Sequence, residues 1–270
     1  MTLKSILVQT NIDDFPGGRV KVAADLAGRF GATLIGVCAC ALQPILTDAM
    51  AVGVAGIIED PSDIEAQLQT AQTKFRELAG QTAKLIEWRS SIDFPTDHAA
   101  RQARAADLVV SGPSRRRSLY REVDPAELIL LAGRPVLAVP ADVSHLAADR
   151  VVVGWKDTRE ARRAVLDALP LLERASEVTV AVVAEKSDSA ALHSAADVVG
   201  YLRRHQVKAA DVLVEADGSA GDRLIALAKE RGADLIVAGA YGHSRVREWI
   251  FGGVTRDLLT KSPICCLMAN

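Results

Sequence analysis

Aromatic side chains are scarce in this 270-residue chain, at 4% of the total. The hydrophobic share of 49% is therefore mainly Ala, Val, Leu and Ile, a composition that fits helices on a buried parallel sheet better than a β-sandwich. No apolar run reaches the roughly 18 residues of a membrane helix, and Met1 to Val8 lacks the long apolar region of a signal peptide. A formal net charge of −2 gives no reason to expect nucleic acid or an acidic membrane as a partner. The four cysteines form no Cys-x-x-Cys and no Cys/His zinc spacing. Cys38, Cys40, Cys265 and Cys266 lie in apolar strand-like runs and are expected as reduced, buried thiols of a cytoplasmic protein. Catalytic signatures are missing too: no Gly-x-Ser-x-Gly elbow, no phosphate-loop lysine, no His-Glu-x-x-His. At most, a positioned water would hydrolyse a bound nucleotide slowly.

What is present is concentrated between Ala233 and Ala269. An apolar run, Leu235 to Ala238, ends at Gly239, and Gly242 follows. After a basic, partly apolar segment, Gly252 and Gly253 open a helix-like run from Val254 to Thr260. Glycines between a strand and a helix let backbone N–H groups approach an anion, so the chemistry spelled out here is phosphate binding.

Along the chain, strands and helices alternate. Ser5 to Thr10, Thr33 to Cys40, Lys84 to Ser90, Asp107 to Ser111 and Val136 to Val139 read as strands. Helices are expected at Arg19 to Phe30, with Gly31 as the glycine just past its end, and at Ser62 to Thr82, Asp97 to Ala105 and Pro125 to Ala132. Gln43 to Asp60 is an apolar, glycine-containing insertion, and Pro140 to Asp149 reads as a linker. The alternation then restarts, with strands at Arg150 to Trp155, Glu177 to Ala184, Asp211 to Glu215, Asp234 to Ala238 and Ile264 to Met268. Local wording repeats as well: Ala106-Asp107-Leu108-Val109-Val110-Ser111-Gly112 parallels Ala233-Asp234-Leu235-Ile236-Val237-Ala238-Gly239. Two α/β domains in tandem are expected, over 1–140 and 149–270.

On these residues the chain resembles the universal stress protein family, of the tandem type, over nearly its whole length. The family's loop is a glycine, two residues, a glycine, nine residues, then a glycine followed by serine or threonine. Gly239, Gly242 and Gly252 keep that spacing, with His243 to Phe251 as the nine. The resemblance implies two doubly wound domains, each a five-stranded, mainly parallel sheet with helices on both faces (adenine nucleotide alpha hydrolase-like). It also implies a pseudo-dimer joined through Val136 to Val139 and Ile264 to Leu267, and leaves room for further homodimers. In the nucleotide-binding branch of the family, ATP, with magnesium, sits at the carboxyl ends of the strands. Carried over, the binding residues are Trp155, Lys156, Asp157, Val182, Gly239, Gly242, His243, Arg245, Gly252, Gly253, Val254 and Thr255.

Two departures stand out. Gly253 replaces the serine or threonine whose hydroxyl would hold phosphate, and Lys156 stands near the place of the family's aspartate. Asp157 and Thr158 also suit the cap of the helix starting near Arg159. The first copy's loop departs further, with Pro113 after Gly112 and Arg115 in place of the second glycine, so no ATP is expected there. The expected function is regulatory: adenine-nucleotide binding in the second copy and protein contacts in stress responses. The alternatives are a nucleotide-free scaffold and a binder of another small ligand, polar or apolar, held between the copies or under the apolar Gln43 to Asp60 insertion.

Overall fold

A computed structural model describes residues 2–43, 59–113, 118–185, 188–242 and 253–270. The first half runs β1 (Ser5–Thr10), α1 (Gly17–Phe30), β2 (Thr33–Ala39), α2 (Pro61–Ala79), β3 (Leu85–Ser91), α3 (Pro95–Gln102), β4 (Leu108–Ser111), α4 (Pro125–Leu131) and β5 (Val136–Ala138). The second repeats the order with β6 (Arg150–Gly154), α5 (Arg159–Leu172), β7 (Glu177–Ala184), α6 (Ser189–Arg204), β8 (Ala209–Glu215), α7 (Ala220–Glu230), β9 (Leu235–Gly239), α8 (Gly253–Lys261) and β10 (Cys265–Ala269).

Each half is doubly wound, and the halves share one sheet. Its ten strands lie in the order β3-β2-β1-β4-β5-β10-β9-β6-β7-β8. All pairs within a half are parallel, while β5 and β10 join the halves antiparallel, with Leu137 opposite Leu267. Pairing removes what would otherwise be two exposed edges. One apolar cluster packs α1, α2, α5 and α6 on one face of the sheet, and a second packs α3, α4, α7 and α8 on the other. Both clusters cross from one half to the other.

Local chemistry explains most boundaries. Gly31 takes φ 62° and closes α1 as a left-handed cap, because glycine pays no Cβ penalty there. α1 begins at Gly17, two residues earlier than its apolar spacing indicates, with Pro16 at the cap position fixing the entry. Asp107 and Asp234 do matching work. Asp107 Oδ2 accepts from the Lys4 and Ser5 N–H groups at 2.7 and 2.9 Å, and Asp234 accepts from Ala148 and Arg150 N–H at 2.7 and 3.3 Å. Each aspartate thus aligns the first strand of its half with the fourth. The linker is tied down: Arg29 donates to the Leu146 and Ala147 carbonyls, and Leu146 is buried. The four cysteines are buried and free. Burial pushes Cys38, Cys265 and Cys266 up to about 12, so they carry little thiolate at neutral pH. No helix among the described residues is long and apolar enough to cross a membrane.

Candidate functional site

In a doubly wound sheet the crevice opens where successive crossovers leave in opposite directions, outside the carboxyl ends of the strands. In the second half that point lies between β6 and β9, which pair in parallel from Val151 opposite Leu235 to Gly154 opposite Ala238. Beyond β6 come Trp155, Lys156, Asp157 and Thr158, then α5. Beyond β9 come Ala240, Tyr241 and Gly242.

α5 reaches this crevice with its N-terminus. Thr158 is its cap, its Oγ1 accepting from Ala161 N–H at 3.3 Å. Asp157 does not cap; its carboxylate pairs with Arg162 at 2.7 Å on the helix surface. Gly239 packs directly on the first turn of α5: a Cβ built there would lie 2.5 Å from the Ala161 nitrogen. Glycine is required at 239 by close approach rather than by dihedral angle. Tyr241 then takes φ 60°, a left-handed turn unusual for a tyrosine, and places Gly242 against Thr158 and Glu160. The Tyr241 ring packs into the apolar cluster of that face, and burial, with Asp124 of the first half adding, pushes its phenol up to about 12.

α8 delivers a second helix N-terminus. Its first turn holds Gly253, Val254 and Thr255 and carries no acid. Thr255 is buried, and its Oγ1 accepts from Tyr241 N–H at 3.4 Å, which ties the glycine loop to α8. Asp257 fixes α8 against α7: its carboxylate pairs with Lys261 at 3.0 Å and accepts from Ser219 Oγ, which, ahead of the lysine, lowers its pKa. Among the described residues nothing lies within 4 Å of a Cβ built on Gly253.

The sequence-predicted residues therefore divide. Lys156, Asp157, Gly239, Gly242, Gly253, Val254 and Thr255 lie on the segments around the crevice. Trp155 and Val182 are buried in the core cluster beneath α5 and α6, and the Trp155 indole donates to Ser194 Oγ at 3.2 Å. His243, Arg245 and Gly252 lie outside the described residues, as do Arg115 and most of the Gln43 to Asp60 insertion.

Sequence reasoning missed Glu160. It sits in the first turn of α5, where a carboxylate complements the helix dipole, and it is only 7% exposed. Arg159 pairs with one oxygen, Oε1, at 3.0 Å. The other, Oε2, would be 2.9 Å from a Cβ on Gly242. An acid at the second position of a helix is so common that nothing in the sequence singles it out.

The equivalent crevice of the first half is filled differently. Arg19, in the first turn of α1, is 7% exposed and donates to the Gln9 carbonyl at 3.1 Å and to Gln9 Oε1. Its Nη2 lies 2.5 Å from where a Cβ on Gly112 would stand. Arg121 closes the mouth further, binding both oxygens of Asp13 at 2.8 Å and Glu59 at 2.8 Å. The cavity beside Asn11, Arg19 and Glu122 measures about 110 Å³, below the roughly 300–1,000 Å³ of usual ligand pockets.

A family model, that of the universal stress protein family, matches residues 147–270. The fold is similar to that of a universal stress protein from Archaeoglobus fulgidus DSM 4304, at 17% identity and a TM-score of 0.74, covering 98% of this chain and 96% of that one. It is also similar to a functionally unknown protein from Pseudomonas aeruginosa PAO1, at 15% identity and a TM-score of 0.64, covering 99% and 92%. No curated protein sequence matches the chain. At these identities the structural likeness carries the fold alone, while the family model carries the second half. The domain at residues 147–270 accordingly belongs to the universal stress protein family, and the first half of the chain repeats its fold.

Proposed function

We propose that the second half binds ATP or a related adenine nucleotide, and that the chain regulates cytoplasmic stress responses through contacts with protein partners. One observation carries the reading: the glycine turn after β9 stands between two helix N-termini, α5 and α8, at the switch point of the sheet. Gly239 and Gly242 bring backbone close to α5, and the Tyr241 N–H between them bonds to Thr255 of α8. The α8 N-terminus offers N–H groups with no acid in their own first turn, and each such terminus favours an anion by about 0.3–1 kcal/mol. Lys156, exposed after β6, adds a cation within the same loop cluster. Binding belongs to the second half alone, because Arg19 and Arg121 with their partners already occupy the crevice of the first.

A second reading, a nucleotide-free scaffold, has Glu160 in its favour, since a carboxylate beside Gly242 opposes a phosphate. Thermal unfolding with and without Mg-ATP separates the two. At an ATP concentration one hundred times the dissociation constant, stabilisation is about 2.7 kcal/mol, or a rise of several degrees at roughly 2–4 °C per kcal/mol. A flat profile at millimolar Mg-ATP would leave the scaffold standing.

A further inference from the structure

Resting on the nucleotide reading, we infer that Glu160 supplies the protein ligand for a divalent cation that accompanies the phosphates into the second-half crevice. Three features of the site lead there. Glu160 is more than nine-tenths buried, yet among the described residues it has one partner, Arg159, held by Oε1 alone. Its Oε2 accepts no hydrogen bond there and points at the Gly242 turn, with Thr158 Oγ1 also close to that glycine. The turn is bonded through Tyr241 N–H to Thr255, in the first turn of α8, where the anion is placed.

A carboxylate and a polyphosphate brought this close repel each other strongly in a partly buried setting. Two arrangements relieve the repulsion: the carboxylate binds a proton, or a cation bridges the two anions. Magnesium fits the second. It keeps several waters and is held by one or two carboxylates plus substrate phosphates, without a cage of protein ligands. No group of three His, Cys, Asp or Glu side chains able to hold a metal occurs among the described residues, so the metal would arrive with the nucleotide. The hydroxyl of Thr158 already accepts from the α5 backbone, which leaves Glu160 Oε2, among the described side chains nearest Gly242, as the acceptor facing the turn. Glu160 thereby becomes a specificity residue: it admits the cation-nucleotide complex and disfavours the bare polyphosphate.

The test is isothermal titration of the full chain with ATP in magnesium and, separately, in EDTA, for the wild type, Glu160→Gln and Glu160→Asp. The wild type is expected to bind at least tenfold more tightly with magnesium. In Glu160→Gln the two affinities should converge to within about threefold, chiefly because magnesium-free ATP binds better once the charge is gone. Glu160→Asp, which retains the charge, should keep a clear preference for magnesium. Equal wild-type affinities in magnesium and EDTA would overturn the inference while leaving nucleotide binding intact. So would a Glu160→Gln protein with wild-type unfolding behaviour that keeps the full preference. Absence of binding under every condition would remove the nucleotide reading itself and this inference with it, a result unlike the other two.

Discussion

A Cβ on Gly242 would stand 2.9 Å from the Glu160 carboxylate oxygen Oε2. Three residues earlier, a Cβ on Gly239 would stand 2.5 Å from the backbone nitrogen of Ala161. The two glycines are alike in sequence and differ in what they press against. A glutamate tip can swing aside, whereas the backbone of a helix's first turn cannot. Gly239→Ala is expected to cost about 1–3 kcal/mol, the usual cost of overpacking, and Gly242→Ala less than about 1 kcal/mol. Urea unfolding of the two variants decides it; equal costs would mean that the turn is looser than described.

Asp107 and Asp234 hold the first strand of each half in register with the fourth. Removing either leaves two backbone N–H groups without an acceptor. Asp107→Ala and Asp234→Ala should each destabilise by about 1–3 kcal/mol, and the asparagine variants by less, since one acceptor oxygen remains. Chemical denaturation gives the comparison.

Much of this architecture is legible in the sequence. The repeated Ala-Asp-Leu wording marks β4 and β9, Gly31 marks the end of α1, and the five-strand order follows from the alternation of apolar runs. The antiparallel seam between Val136–Ala138 and Cys265–Ala269 follows from the family resemblance rather than from local pattern. The site is less legible. Arg19 reads as the solvated start of a helix and Glu160 as a dipole partner, because periodicity reports which face of a helix is polar and not what that face meets. Trp155 has the place of a ligand-facing residue in sequence, yet its indole turns under α6 to Ser194, a choice set by packing space that appears only in three dimensions.

His98 is buried in α3, and its Nε2 has no hydrogen-bond partner among the described residues. Burial lowers its pKa, against the pull of Asp93, and Arg101 adds to the lowering. The unfolded chain therefore takes up this proton at a higher pH than the folded one, near the ordinary value of about 6.5. The stability due to neutral His98 is complete above that value and falls as pH drops below it, until the folded pKa is passed. Wild-type stability should decline between pH 7 and pH 5, and His98→Leu should decline less. Parallel curves for the two proteins would assign the acid sensitivity elsewhere.

Among the described residues nothing stands where a Gly253 side chain would extend, and the backbone there is not left-handed. Gly253→Ser should therefore fold as the wild type does and restore a hydroxyl at the α8 N-terminus. A hydrogen bond to a charged group is worth about 1.5–3 kcal/mol, so ATP affinity should rise by at least about tenfold. Competition titration against a fluorescent ATP analogue measures the change. No gain would place the phosphates away from α8.

The central claim is that one half of this duplicated fold binds an adenine nucleotide and the other, filled by Arg19 and by the Arg121 ion pairs together, does not. Calorimetric titration of the full chain with Mg-ATP tests it most directly. The expected isotherm saturates at one nucleotide per chain, and Arg19→Ala leaves that stoichiometry unchanged, because Pro113 and the Arg121 ion pairs still close the first crevice. Saturation at two per chain, or no saturable heat at millimolar Mg-ATP, would contradict it.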